Sequence, residues 1–125
     1  MKEIIKTLKA AQPVGPYNQA VKVGNMLYVS GQIPLDPATG ELVTGGVPEQ
    51  TRMVMQNLGA ILEAAGMEFS NVIKCSIFIT DMKEFPKLNE VYAEYFEDDP
   101  PARETIQVGA LPKFVDVEIS CIAVG

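Results

Sequence analysis

An α+β fold is predicted for this chain: one mixed β-sheet with two helices packed on one of its faces. Three observations carry the prediction. Residues 72–80 alternate apolar and polar at the period of a strand. Apolar residues recur at helical spacing through 54–65 and again through 85–96. Gly24-Asn25 separates two extended runs with a hairpin signal, glycine being available for positive φ.

Taken in order, Lys2 to Thr7 reads as a short first strand. Gln12-Pro13-Val14-Gly15-Pro16-Tyr17 interrupts it, because prolines lack the ladder donor and fix φ. Asn18 to Val23 and Met26 to Gln32 form the hairpin, and Pro34 to Gly46 is a long loop with some extended character. From Pro48, which suits a first helical turn, Val54, Leu58, Ile61, Leu62 and Ala65 mark a helix that Gly66 ends as its αL residue. In the next strand Ile73, Cys75, Ile77 and Ile79 take one face; Lys74, Ser76 and Thr80 take the other. Asp81-Met82-Lys83-Glu84 has capping-box spacing and opens a second helix with the stripe Phe85, Leu88, Tyr92, Tyr95 and Phe96. Asp98-Asp99-Pro100-Pro101 stops it. The chain closes on a predicted hairpin, 101–108 and 115–121, turning through Leu111-Pro112-Lys113. The order β, β, β, α, β, α, β, β, without a linker or repeat, predicts one domain over residues 1–125.

Composition narrows the function. The chain is 47% hydrophobic and 21% charged, as a globular domain is, and its net charge is −6. Its ten basic residues are scattered singly, so no nucleic-acid partner is expected. There is no histidine. That removes a Ser-His-Asp triad, a histidine-based ribonuclease mechanism and nearly all catalytic zinc sites. Asp98-Asp99 lacks companion ligands, and Gly45-Gly46 lacks the spacing and lysine of a phosphate loop, so neither a metal nor a cofactor is expected. Cys75 and Cys121 read as small buried hydrophobes suited to a reducing compartment. No apolar run is long enough for a bilayer, and Met1-Lys2-Glu3-Ile4-Ile5-Lys6 has no signal-peptide core. A cytoplasmic location and no membrane partner are expected.

The chemistry-bearing candidates are few. On strand parity Arg103, Thr105 and Gln107 share one face, while Asp116, Glu118 and Ser120 are the polar face of the partner strand. Matching apolar face to apolar face puts Arg103 and Glu118 on the same side, near each other. Parity by itself favours a solvated cross-strand ion pair, contributing about 0.2–1 kcal/mol. Arg103 can also grip a carboxylate with its planar fork, and Pro100-Pro101 restricts the backbone before it. Tyr17 sits on a rigid loop and can line a pocket or a plain turn. Ser30-Gly31-Gln32 ends a strand where glycine permits close approach or a bulge. Asn89 lies beside the core stripe of the second helix, a place where asparagine is most often exposed.

These blocks in order, Gly15-Pro16-Tyr17-Asn18-Gln19-Ala20, Val29-Ser30-Gly31-Gln32-Ile33-Pro34, Pro101-Ala102-Arg103, and Leu111-Pro112 followed by Val117-Glu118-Ile119, resemble the RidA (YjgF/YER057c/UK114) family of enamine/imine deaminases. The likeness covers nearly the whole chain. It implies a chorismate-mutase-like fold and a homotrimer with sites in the clefts between subunits. It further implies hydrolysis of 2-imino acids, such as 2-iminobutanoate and 2-iminopropanoate, to 2-oxo acids and ammonia. Such imines arise when pyridoxal-phosphate enzymes dehydrate serine or threonine, and they can damage those enzymes.

By the same resemblance Arg103 binds the substrate carboxylate and Glu118 activates the attacking water. Tyr17, Gly31 and Asn89 line the pocket, and Ser30 flanks them. Thr105 stands where many members have cysteine, so a main-chain contact there survives and thiol chemistry does not. The connection before Pro101 is short for the family. An imine is already electrophilic, so neither metal nor covalent nucleophile is required; Arg103 would position and Glu118 would move protons. Two other readings stand beside it: a 2-oxo-acid-binding regulator that uses the same carboxylate pocket without turnover, and a holdase chaperone whose action would persist without Arg103. Endoribonuclease activity is disfavoured by charge and by the missing histidine.

Overall fold

The computed structural model describes residues 1–125 and shows a six-stranded mixed sheet with two α-helices on one face. The strands are β1 (Lys2–Ile5), β2 (Ala20–Val23), β3 (Met26–Gln32), β4 (Val72–Ile79), β5 (Ala102–Gln107) and β6 (Val117–Val124). They lie in the order β1-β2-β3-β6-β4-β5, antiparallel except for the β4–β5 pair. Gly24 at φ 60 makes the β2–β3 turn.

Helix α1 (Val47–Ala64) carries Pro48 in its first turn, and Gly66 follows its end at φ 75, where a Cβ would be strained. Its buried stripe, Val54, Met55, Leu58, Ile61 and Leu62, packs on β-strand residues such as Leu27, Ile77, Val117 and Ile119 in one principal core. Helix α2 (Phe85–Ala93) lies beside it, burying Leu88, Val91 and Tyr92. No helix is long and apolar enough to cross a membrane. A smaller cluster, Ala11, Ile33, Leu35, Leu111 and Val115, packs with Phe78. Phe78 alternates with the core-facing Ile77 and Ile79, so this cluster covers part of the other sheet face. The rest of that face leaves Ile4, Val23, Tyr28 and Ile106 exposed.

Four expectations are corrected. The closing segments do not form a hairpin: β6 inserts between β3 and β4, and β5 pairs only with β4, as the parallel edge strand. Ile73 does not share the buried face of β4. A register shift between Val72 and Lys74 turns Val72 inward and leaves Ile73 48% exposed. The capping box at 81–84 is half made. Asp81 accepts from the Lys83 amide at 3.0 Å, but it caps a 3-10 turn, Met82–Glu84, and the Glu84 side chain reaches Lys87 instead. Tyr95 and Phe96 lie beyond the end of α2, where their rings meet Phe69 tilted and edge-on.

Candidate active site

The candidate residues fall at two separate stations. Arg103 is aligned with Cys75 across β4–β5, and register neighbours point to the same face. Cys75 is in the main core, so Arg103 faces the helices. There its guanidinium lies 5.2 Å from the Phe85 ring centre and 4.9 Å from that of Tyr92, and Nη1 donates to Asn89 Oδ1 at 2.8 Å. Two ring faces and one amide thus hold an arginine that remains exposed to solvent. Phe85, Asn89 and Tyr92 stand at i, i+4 and i+7 on α2, one helix face. That spacing is a signal from which the platform could have been found in sequence. Thr105 is half-buried and shares Arg103's face two residues along.

Glu118 is aligned with Phe78, and therefore faces away from the helices. Its strand and that of Arg103 are separated by β4, roughly 10 Å at the usual strand spacing. The expectation that parity brings Arg103 and Glu118 together is thus overturned within one chain. They lie on opposite faces, with a strand between. The physical reason is the edge position of β5. Its apolar Ile106 lies on the open face in register with Phe78 and is exposed there, so its apolar side is not the core side.

Around Glu118 a second group does gather. The carboxylate lies against Gly31: a Cβ built there would overlap Oε2 and stand 2.8 Å from Cδ. Gly31 is required for this approach, and not for a turn. Gly31 also borders, with Tyr17, a recess of about 10 Å³, room for roughly one water. Burial pushes the Glu118 carboxyl above its ordinary pKa, with no cation offsetting it. Ser30 is structural as well as adjacent, because its hydroxyl donates to the Asn18 carbonyl at 2.6 Å and its amide to that of Gln19 at 2.9 Å. The Tyr17 hydroxyl accepts from the Val14 amide at 3.2 Å.

Gln19 carries no signal of its role in the sequence. It is buried and makes three bonds to the 7–11 segment, accepting from the Thr7 amide at 2.8 Å and donating to the Thr7 and Ala11 carbonyls at 3.0 and 2.8 Å. It anchors the loop that carries Tyr17. Nothing in its neighbourhood announces burial. Gly31→Ala is expected to drive the Glu118 side chain outward into solvent, so that its pKa falls back toward the ordinary glutamate value. Carboxyl NMR titration reads this directly; an unchanged Glu118 titration would show that the contact is slack.

The two cysteines are register partners across β4 and β6. Burial raises the Cys75 thiol and pushes Cys121 to about 12, so both stay protonated and serve as core. A cavity of about 460 Å³ is rimmed by Glu68, Glu94, Glu97, Asp98 and Asp99 and would repel an anion. A second, of about 360 Å³, opens beside Arg103 and Asn89. This one suits a carboxylate.

The comparisons with known proteins agree on one family. Residues 7–125 match the family described as endoribonuclease L-PSP. A RutC family protein of Pyrococcus horikoshii is 54% identical over 98% of this chain and 98% of its own. A 2-iminobutanoate/2-iminopropanoate deaminase of Mus musculus is 48% identical over 99% of this chain and 92% of its own. Among solved structures, RidA from an Antarctic Psychrobacter superposes with a TM-score of 0.95 at 45% identity, over 98% of this chain and 99% of the other.

Proposed function

The chain belongs to the endoribonuclease L-PSP family, which includes the RidA proteins, and from that premise we propose that it hydrolyses reactive 2-imino acids to 2-oxo acids and ammonia. 2-Iminobutanoate and 2-iminopropanoate, the compounds in the names of the mammalian relatives, are the first substrates to test. The observation that carries the reading is the pair of stations: an exposed guanidinium held by rings and an amide, and a half-buried carboxyl of raised pKa against a glycine.

Arg103 binds the substrate carboxylate through the fork left free by Asn89, which fixes the imine carbon. Glu118 accepts a proton from water as the water oxygen bonds to that carbon, giving a carbinolamine. It then returns that proton to nitrogen as the C–N bond breaks and ammonia leaves, and takes up the carbinolamine hydroxyl proton as C=O forms. The imine reacts in its protonated form, which supplies the second N–H of the carbinolamine. Raised basicity suits these transfers. Tyr17 and Gly31 line the water side, and Thr105 beside Arg103 adds no thiol, which this route does not need.

Because the stations lie on opposite faces of one sheet, the reading requires two copies at each site. Arg103, Asn89 and Thr105 come from one; Glu118, Gly31, Ser30 and Tyr17 come from its neighbour. A homotrimer supplies three such clefts, and the exposed Ile4, Val23, Tyr28 and Ile106 give the sheet face reason to associate.

Mixing tests this. Arg103→Ala and Glu118→Gln, each inactive alone, are unfolded together and reassembled at equal ratio. Random assembly then leaves about a quarter of the clefts with both functional residues. Recovery near that fraction is expected; no recovery, with trimers formed, would place both groups in one subunit and sink the shared site. Acceleration of 2-oxobutanoate release from threonine dehydratase by the wild type tests the reaction itself. Saturable 2-oxo acid binding without acceleration would identify a regulator instead.

A further inference from the structure

We propose that the cavity beside Arg103 is a side-chain subsite selecting 2-imino acids with branched or aromatic apolar side chains over the four-carbon substrate. For the identity of the carboxylate the inference rests on the deaminase reading. The polar part of its lining is Arg103 and Asn89, joined by a hydrogen bond, with Tyr92 beside the guanidinium. The rest of the lining is Ala93, Phe96, Pro100 and Pro101. A cationic fork and an apolar wall in one cavity match an organic carboxylate with an apolar tail.

Size points the same way. The cavity of about 360 Å³ far exceeds the single-water recess of about 10 Å³ beside Tyr17, so a four-carbon imino acid leaves space in it. With the carboxylate on Arg103, the alanine, the phenyl ring and the two pyrrolidine rings are left to meet the side chain. Ala93 is the reason for the space: it is exposed on the last turn of α2, and a longer side chain there would enter the cavity. Pro100-Pro101 makes the wall stiff, so little ordering is needed on binding. Charge sets the opposite limit. Glu97, Asp98 and Asp99 rim the neighbouring cavity, which shares Phe96, and would repel a second carboxylate on the substrate. Dicarboxylic imino acids are therefore disfavoured.

Calorimetry with stable 2-oxo acids tests binding apart from catalysis. Burying two more methylenes is worth on the order of tenfold in affinity. Thus 4-methyl-2-oxopentanoate is expected to bind at least tenfold tighter than 2-oxobutanoate, and 2-oxoglutarate more weakly than either. Ala93→Leu should erase that preference. Equal affinities in the wild type, or a preference surviving in Ala93→Leu, overturn the subsite. So does a change of oligomeric mass in Ala93→Leu without wild-type preference, since a neighbouring copy then fills the cavity.

Parallel kinetics use imines generated by an L-amino acid oxidase from leucine and 2-aminobutyrate. Hydrolysis of both without size preference in binding removes the subsite and leaves the deaminase. Size preference in binding with no hydrolysis leaves the subsite and removes the deaminase.

Discussion

Arg103→Ala is expected to abolish 2-imino acid hydrolysis, a loss on the order of 10³-fold or more in kcat/KM, while the protein still folds. The guanidinium is the only cation placed at the candidate carboxylate station, and its removal takes away both charge and orientation. A charge-assisted contact of this kind stabilises by about 1.5–3 kcal/mol, and misplacement of the imine carbon adds a further loss. The structural cost is small. Arg103 is exposed and lies at the edge of the sheet, so the fold gives up its contacts with the Phe85 and Tyr92 rings, about 1 kcal/mol. Arg103→Lys keeps the charge but not the fork and should fall between wild type and alanine. Wild-type turnover by a folded Arg103→Ala protein would remove Arg103, and the assignment with it.

The second large effect is at Glu118. Glu118→Gln is expected to lower kcat by about 10²–10⁴-fold with KM little changed, because the amide can still hold a water but cannot take its proton. Unchanged kcat would take Glu118 out of the mechanism. The pH dependence follows from burial. Activity needs the carboxylate, so kcat should rise with pH along an acid limb displaced above the ordinary glutamate range.

Stability moves the other way. A raised folded pKa means that the native state holds the proton more tightly than the unfolded chain does. Stability is therefore lost as pH rises from the unfolded value through the folded one. Glu118→Gln removes the buried charge, so at neutral pH its midpoint in urea should equal or exceed that of the wild type. A lower midpoint would mean that the carboxylate makes stabilising contacts beyond Gly31.

Much of the fold was legible because its signals are local. The β2–β3 hairpin announces itself through Gly24-Asn25, α1 through Pro48, the stripe from Val54 to Leu62, and Gly66. Strand β4 is legible by alternation except at Ile73, where the register shift interrupts the period. The second helix stands where its stripe predicts but ends sooner, since Tyr95 and Phe96 keep helical spacing while packing on Phe69 from beyond the helix end. A spacing pattern cannot tell a helix face from an aromatic cluster that follows it.

For the site, the chain itself marks which residues are the candidates for chemistry. With no histidine, no ligand cluster and few isolated charges beside apolar strands, Arg103 and Glu118 stand out with the glycine and tyrosine blocks upstream. It did not determine where they go. Parity reports that alternate residues share a face, and it is silent on which strands are neighbours. Only the tertiary structure placed β6 between β3 and β4, put Arg103 on the helix side and Glu118 on the open side, and so divided one expected hairpin into two stations. The reason is that strand order is set by long-range packing: β6, apolar at every second residue, is stabilised at the sheet centre, while the polar β5 is tolerated only at its edge.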